Sequence, residues 1–234
     1  MKLSIVIPCY NEAKNIPVLL NKLDFIRTHQ DIEIILVDNG STDQTSTILQ
    51  QLLSRYSFAR TVKIAVNQGY GLGILQGLKI AQGQFLGWTH ADLQTDPHDI
   101  LKAYDLIVQE GECPQLYIKG NRVGRPWFDQ FFTVGMSCFE TIYLKKILWD
   151  INAQPTIFHK NFFAQWQNPP HDFSLDLYAL YLAKKQGLTL IRFDVKFPER
   201  VHGQSSWNTG LGSKLKLIKR TIQFSSSLKK SDLL

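Results

Sequence analysis

The segment Trp88-Thr89-His90-Ala91-Asp92-Leu93-Gln94 places a short polar cluster at the end of an apolar run that reads as a buried strand. In an open α/β sheet, ligands gather outside the carboxyl ends of the strands. Asp92 and Gln94, two residues apart, can both turn oxygens toward one hard cation. Taken alone the motif fits equally a polar loop that caps a helix beginning near Pro97. Two other junctions carry polar groups in the same relative place: Ile5-Val6-Ile7-Pro8-Cys9-Tyr10-Asn11-Glu12, and Ile34-Ile35-Leu36-Val37-Asp38-Asn39-Gly40-Ser41-Thr42-Asp43. Their apolar runs predict strands buried on both faces, so three strand ends should share one rim suited to cations and phosphates.

Helices must follow each of these strands to hold the rim in place. Ile16, Leu19, Leu20 and Leu23 recur at helical spacing, with Pro17 acceptable in a first turn. Asp43 is a good N-cap for the segment 44–56. Val62 to Gly77 predicts a further strand, a glycine-rich turn and a helix. The spacing from Gly71 misses the dinucleotide fingerprint, and no acid ends a second strand at the expected distance, which argues against hydride transfer. Glycine here permits close packing of helix on sheet or the passage of a ligand.

The 234 residues suit one sizeable core, and 44% apolar with 12% aromatic composition is ample to fill it. Cys9, Cys113 and Cys138 form an odd set without a C-x-x-C pair, so neither a disulfide framework nor a thiolate zinc site is indicated. A reducing cytoplasm fits best. The N-terminal apolar run is broken at Pro8, too short for a signal peptide, and no segment approaches the roughly 20 apolar residues of a membrane span.

Charge is uneven. Of the net +6, residues 211–234 contribute +5, from Lys214, Lys216, Lys219, Arg220, Lys229 and Lys230 against Asp232. On a helical wheel, Leu211, Leu215, Ile218 and Ile222 form one apolar stripe and Leu217, Phe224 and Leu228 a second, opposite Lys216, Lys219 and Arg220. This basic amphipathic tail suits an anionic membrane surface, or else packs on the domain with a solvated basic face. The rest of the chain shows no basic excess to track a nucleic acid.

Taken together, Ile7 to Glu12, Val37 to Asp43, Asn67 to Gly77, Ala91-Asp92-Leu93-Gln94, Gly120-Asn121-Arg122 and Arg200-Val201-His202-Gly203-Gln204-Ser205 resemble the family 2 glycosyltransferases of GT-A fold. The branch they look most like is the dolichol- or polyprenyl-phosphate mannose synthases. The resemblance runs from residue 3 to about 208 in the family's order. It implies an α/β domain with a mixed, mainly parallel central sheet, a donor half over 1–110 and an acceptor half over 111–210, followed by the tail. It implies a nucleotide-sugar substrate and a divalent cation, Mg²⁺ or Mn²⁺.

Carried over by position, Pro8, Tyr10, Glu12, Val37, Asp38 and Asn39 would serve the base and ribose. His90, Ala91 and Asp92 would meet the diphosphate, with Asp92, Gln94 and His90 as metal ligands. Arg122, just beyond a strand over 115–120, and Arg200 would set cations against phosphate, where they stabilise charge developing on the leaving group. The sequence departs from the family's pattern at Asn39 and His90, each in place of an acid, and at Ser206, in place of a lysine in the arginine motif. Asn39 can still accept from a base N–H, and an imidazole ligand at His90 favours Mn²⁺.

The aromatic run of Trp127, Phe128, Phe131, Phe132, Met136, Phe139 and Tyr143, and then Phe158, Phe162, Phe163 and Trp166, reads first as core or subunit contact and second as a lipid site. Asp176, opening a helix toward Gln186, is the candidate base for a hydroxyl acceptor; an anionic polyprenyl phosphate needs none. The preferred expectation is an inverting transfer to a polyprenyl phosphate, with catalysis resting on Asp92, Asp176 and Arg200. A glycan or lipopolysaccharide hydroxyl as acceptor, or a nucleotide-binding homologue without turnover, are the alternatives. The tail would hold the protein at the cytoplasmic face of a membrane, and a separate membrane subunit or self-association remains open.

Overall fold

A computed structural model describes residues 1–124, 127–198 and 211–231, with the side chains of 127–132, 211–217 and 231 left aside. The continuous apolar runs become β1 (Leu3–Cys9) and β2 (Ile32–Asn39), and β3 (Ala59–Ile64) and β4 (Phe85–Trp88) follow. The second half supplies β5 (Leu116–Val123), β6 (Thr156–His159) and β7 (Thr189–Lys196). All seven join one sheet in the order β3-β2-β1-β4-β6-β5-β7. Every pairing is parallel except those of β6, which runs antiparallel to both β4 and β5. The expected halves are therefore one body, because β6 inserts between a strand of each.

Register places the site. Cys9 lies opposite Asp38, and Val6 opposite Trp88. The carboxyl ends of β1, β2 and β4 thus reach one rim, as the sequence led us to expect. Helices α1 (Asn15–Lys22), α2 (Thr45–Leu52) and α4 (Asp99–Gln109) follow β1, β2 and β4, and Ile16, Leu19, Leu20, Leu49, Ile100, Ala103 and Ile107 of these helices share one buried cluster with Ile5, Ile7, Ile34 and Leu36 of the sheet. Helices α3 (Tyr70–Ile80) and α7 (Ser174–Lys185) supply the other cluster, with Val6, Ile35, Val37 and Trp88. A Cβ on Gly77 would stand 2.4 Å from Val6 Cγ1, so glycine is what lets α3 lie close on the sheet. α2 ends at Leu52 and continues as a short 3₁₀ turn, with the Asp43 carboxylate accepting the Thr45 N–H at 2.9 Å.

One expectation needs correction. β5 extends to Val123 rather than ending at Gly120, because β7 pairs alongside it to the last residue, Arg122 opposite Val195 and Val123 opposite Lys196. Arg122 therefore sits within the strand. Residues 211–231 form α8 (Leu211–Ser231), which packs on α7 and on α5 (Trp127–Leu144), the second of the two placements the sequence left open. Ser225 is fully buried, donating to the buried Glu140 at 2.6 Å, and Leu228 is buried beside it. Of the two predicted stripes, the Phe224 and Leu228 side packs, whereas Ile222 is 41% exposed. No helix among the described residues is long and apolar enough to cross a membrane. The short helix α6 (Lys160–Phe163) completes the set.

Candidate active site at the carboxyl rim

The loops after β1 and β2 are stitched into one wall. Asn11, held at φ 58°, accepts the Thr42 N–H at 2.8 Å, and its own N–H donates to Ser41 Oγ at 3.1 Å. The Glu12 N–H donates to Thr45 Oγ1 at 2.8 Å. The buried Asp38 carboxylate braces the same wall, accepting from the Ser41 N–H at 3.0 Å and from the Ser46 hydroxyl. The Val37 side chain is fully buried in the core beneath α3. Ala91 also points into the core, leaving its backbone at the rim.

Asn39 behaves differently. Its amide donates to the Gly69 carbonyl at 3.0 Å, while its buried Oδ1 has no hydrogen-bond partner among the described residues. A buried acceptor without a donor is unusual, and Tyr10, 44% exposed, stands on the same rim beyond Pro8. A Cβ on Gly73 would come within 3.1 Å of the Asn39 amide and 3.3 Å of Pro8. The glycine of α3 thereby preserves space around these two groups.

Beyond β4 the loop is tightly organised. Asp92, 6% exposed, accepts the Gln94 N–H at 3.1 Å across Leu93, which is held at φ 62°. The Gln94 side-chain amide donates to the Pro198 carbonyl at 3.2 Å, and the Thr89 and Thr95 hydroxyls meet at 3.0 Å. Arg200 and Ser206 lie outside the described residues.

Beneath this loop is a buried polar cluster. Asp176, in the first turn of α7 and 2% exposed, accepts through Oδ1 from Gln154 Nε2 at 2.7 Å and from Trp88 Nε1 at 3.2 Å. Lys119 Nζ lies 3.9 Å from the same oxygen and donates to the Ala153 carbonyl at 2.8 Å and Thr156 Oγ1 at 2.7 Å. Burial drives both groups toward their neutral forms: the Asp176 carboxyl is raised, and the Lys119 amine is pushed down to about 7. Burial also lifts the Tyr70 phenol well above its usual range, reinforced by the Asp176 and Asp92 carboxylates. The Tyr70 ring stacks on Phe173 at 4.7 Å and lies 5.6 Å from His90, and its hydroxyl is buried without a hydrogen-bond partner among the described residues.

Tyr70, Trp88, Lys119 and Gln154 were not among the residues singled out from the sequence for this site. A lysine directly after the apolar run Leu116 to Ile118 within β5 is the available signal, since lysine is almost never fully buried unless paired.

The Lys119 amine makes stability depend on pH. Its folded value lies below the roughly 10.4 of an exposed lysine, so between the two the unfolded chain binds the extra proton and stability rises with pH. Urea unfolding from about pH 7 to about pH 9 should show the wild type gaining on Lys119→Met, at a slope approaching ~1.4 kcal/mol per pH unit. Parallel curves would remove the assignment.

Arg122 has a partner of its own. Its Nε donates to Asp150 Oδ1 at 2.8 Å and its backbone N–H to Oδ2 at 2.8 Å, and the guanidinium lies 5.3 Å from the Phe197 ring. Burial alone would raise the Asp150 carboxyl, but the Arg122 bonds overcome it and hold it below the usual carboxylate range. Arg122 also lines a cavity of about 80 Å³ with Met136, Ser137, Phe173, Leu177 and Arg220, between α5, α7 and α8. Phe158, Phe162 and Trp166 form core with Trp88, Tyr117 and Tyr178, as the first reading of the aromatic surplus held. Trp127, Phe128, Phe131 and Phe132 have side chains outside those described.

Among solved structures, a mannosyltransferase from Pyrobaculum calidifontis in complex with GDP-Man and Mn²⁺ is similar at TM-score 0.65 and 18% identity, over 88% of this chain and 59% of that one. Glucosyl-3-phosphoglycerate synthase from Mycobacterium tuberculosis, with Mn²⁺, UDP and glucosyl-3-phosphoglycerate, gives 0.67 at 15% identity, over 91% and 76%. The fold is the GT-A arrangement. In sequence, a dolichol-phosphate mannosyltransferase of Pyrococcus furiosus is 30% identical over 150 residues, 63% of this chain and 42% of the relative. An undecaprenyl-phosphate 4-deoxy-4-formamido-L-arabinose transferase of Pseudomonas savastanoi is 34% identical over 128 residues, 53% and 37%. The chain thus spans about two fifths of the length of these curated relatives. Residues 4–171 match the glycosyl transferase family 2 pattern, and the chain belongs to that family.

Proposed function

We propose that this protein transfers a sugar from a nucleotide-sugar to a polyprenyl phosphate with inversion, assisted by a divalent cation. The observation that carries the reading is Asp92, fixed at the carboxyl end of β4 between the wall built on Asn11 and the Tyr70–Asp176 cluster. Asn39 Oδ1 supplies an acceptor for a base N–H, and Tyr10 an exposed ring beside it.

No group of three or more His, Cys, Asp or Glu gathers among the described residues. Asp92, with Gln94 and His90 beside it, nonetheless fits a cation that arrives with the diphosphate, since Mg²⁺ is commonly bound through one or two carboxylates plus substrate phosphates. When bound, such an ion neutralises charge on the departing nucleoside diphosphate. The acceptor oxygen forms the new bond to the anomeric carbon as the bond to the donor phosphate breaks, and the diphosphate leaves with the electron pair. Arg200 belongs with this charge on grounds of motif position.

Asp176 favours a phosphate acceptor over a hydroxyl. A general base must lie within hydrogen-bond reach of the proton it removes, and Asp176 is buried, with one oxygen engaged by Trp88 and Gln154. A polyprenyl phosphate is already anionic and needs no base, so Asp176 instead anchors the floor of the site. The names of the two sequence relatives point to the same acceptor class.

Thermal unfolding with GDP-, UDP- and CDP-sugars, with and without Mn²⁺ or Mg²⁺, tests the donor site. At about 100 times Kd a ligand contributes about 2.7 kcal/mol, which for a chain of this size is a shift of roughly 5 to 10 °C. One nucleotide stabilising only in the presence of metal is the expected result. No shift with any of them would overturn the donor site.

A further inference from the structure

Lys119 is a charge placed where charge is costly. It shares a face of β5 with Tyr117, two residues before it, and is fully buried. An ammonium loses its hydration there. Asp176 and Asp150 favour its charge, and Arg192 and Arg122 oppose it. Replacing a buried ion pair with apolar side chains of similar volume is often neutral or stabilising, so stability alone does not call for a lysine at this place.

Its contacts show what it holds. The amine donates to the Ala153 carbonyl and to Thr156 Oγ1, on either side of Gln154 and Pro155. These bonds fix it 3.9 Å from Asp176 Oδ1, the same oxygen that accepts from Gln154 Nε2 and Trp88 Nε1. One carboxylate oxygen from α7 thus gathers β4, β5 and the approach to β6. Burial pushes this carboxyl toward its neutral form, and the Lys119 amine is the strongest influence opposing it, ahead of His90, Gln154 and Trp88. Hydrogen bonds to a charged acceptor are roughly twice as strong as neutral ones, so the amine governs how firmly Asp176 holds Trp88.

Trp88 is the last residue of β4 and is fully buried. The Thr89 N–H still donates to the Val6 carbonyl at 3.0 Å. The chain then leaves the sheet for the loop that carries His90, Asp92 and Gln94. The indole bond to Asp176 therefore fixes β4 at the point where that loop begins.

We infer that Lys119 is a positioning residue for sugar transfer: its ammonium keeps the Asp176 carboxylate bound to Trp88, and the Trp88 indole sets the end of β4 from which His90 and Asp92 meet the donor. Lys119 touches no substrate in this arrangement and acts through two other side chains. Its effect on turnover rests on the transferase reading above, whereas the link from Lys119 to the β4 loop is measured without substrate, so the two can fail separately.

The test is ¹⁵N–¹H correlation spectroscopy of the full chain on the acid side of the value of about 7 at which the Lys119 amine titrates, with the Trp88 indole signal assigned through Trp88→Phe. In Lys119→Met the indole N–H should exchange with solvent at least roughly tenfold faster, and the amide signals of residues 89–94 should move with it. Adding Asp176→Asn to Lys119→Met should restore both, because the asparagine oxygen accepts from the indole without needing a countercharge. Kinetics with GDP-Man or UDP-GlcNAc, Mn²⁺ and farnesyl phosphate should show kcat of Lys119→Met lowered by roughly tenfold to a hundredfold, with KM for the donor held within about threefold. If Lys119→Met does not fold, Lys119→Gln, which removes the charge and keeps a donor, takes its place. Indole and loop signals unchanged by loss of the amine overturn the inference, as does a displaced loop that transfers at the wild-type kcat. A lowered melting temperature with neither signal moved assigns Lys119 to stability alone. A wild type that transfers neither sugar counts against the transferase reading, and the two spectroscopic signals then decide whether Lys119 sets the β4 loop.

Discussion

Replacing Asp92 with asparagine should lower sugar transfer roughly a thousandfold while leaving the fold intact. The magnitude follows from removing one preorganised group that answers charge in the transition state, worth about a hundred- to a thousandfold, together with loss of the anionic ligand of a cation. Asparagine keeps an oxygen to accept the Gln94 N–H, so the loop retains its 3.1 Å bond. Steady-state transfer assays alongside thermal unfolding separate the two effects. The metal-dependent stabilisation by nucleotide should disappear with activity, and an Asp92→Asn protein that still transfers at near wild-type rate would remove Asp92 from the centre of the site.

Ending the chain at residue 210 should destabilise the whole domain, not merely release it from a surface. α8 packs on α5 and α7, Ser225 bonds the buried Glu140, and Phe224 packs against Tyr178 at 6.5 Å between ring centres. Full burial of a leucine or phenylalanine is worth about 1.5 to 3 kcal/mol, so losing Leu228 and much of Phe224 removes roughly 4 kcal/mol. Domains commonly have about 5 to 15 kcal/mol in total. Urea unfolding should show a sharply lowered midpoint or an aggregated product; a truncated protein of unchanged stability would mean that α8 is dispensable to the fold. Membrane binding is therefore better probed by surface substitutions than by truncation.

The rim was legible because its cause is local. An apolar run long enough for a buried strand, ending in Asn, Asp or Thr, announces both the strand and the place where its polar groups emerge. Glycine spacing left open close packing of helix on sheet or passage of a ligand, and Gly77 against Val6 and Val37 shows the close packing. The Lys119–Asp176 pair was not legible, since 57 positions separate them in the sequence and their meeting depends on β6 entering between β4 and β5. Nor were the partners of Asp38 and Arg122 legible: Asp38 accepts from Ser41 and Ser46, and Arg122 pairs with Asp150 across 28 positions of sequence. Nor could a helical wheel tell which of two adjacent apolar stripes on α8 would pack, a choice made by Glu140 and Tyr178 on the neighbouring helices.

The antiparallel insertion of β6 also orders events at the ribosome. β4, the strand that ends in the Asp92 loop, is laid down beside β1 early, but its other edge stays bare until Thr156 to His159 have been made. A bare edge is a template for pairing with another chain, and the contact that closes it spans some seventy residues of sequence, a separation that slows its formation. The nascent N-terminal half therefore emerges with its most functional strand as its most adhesive one, and synthesis of the second half both completes the floor of the site and removes that hazard.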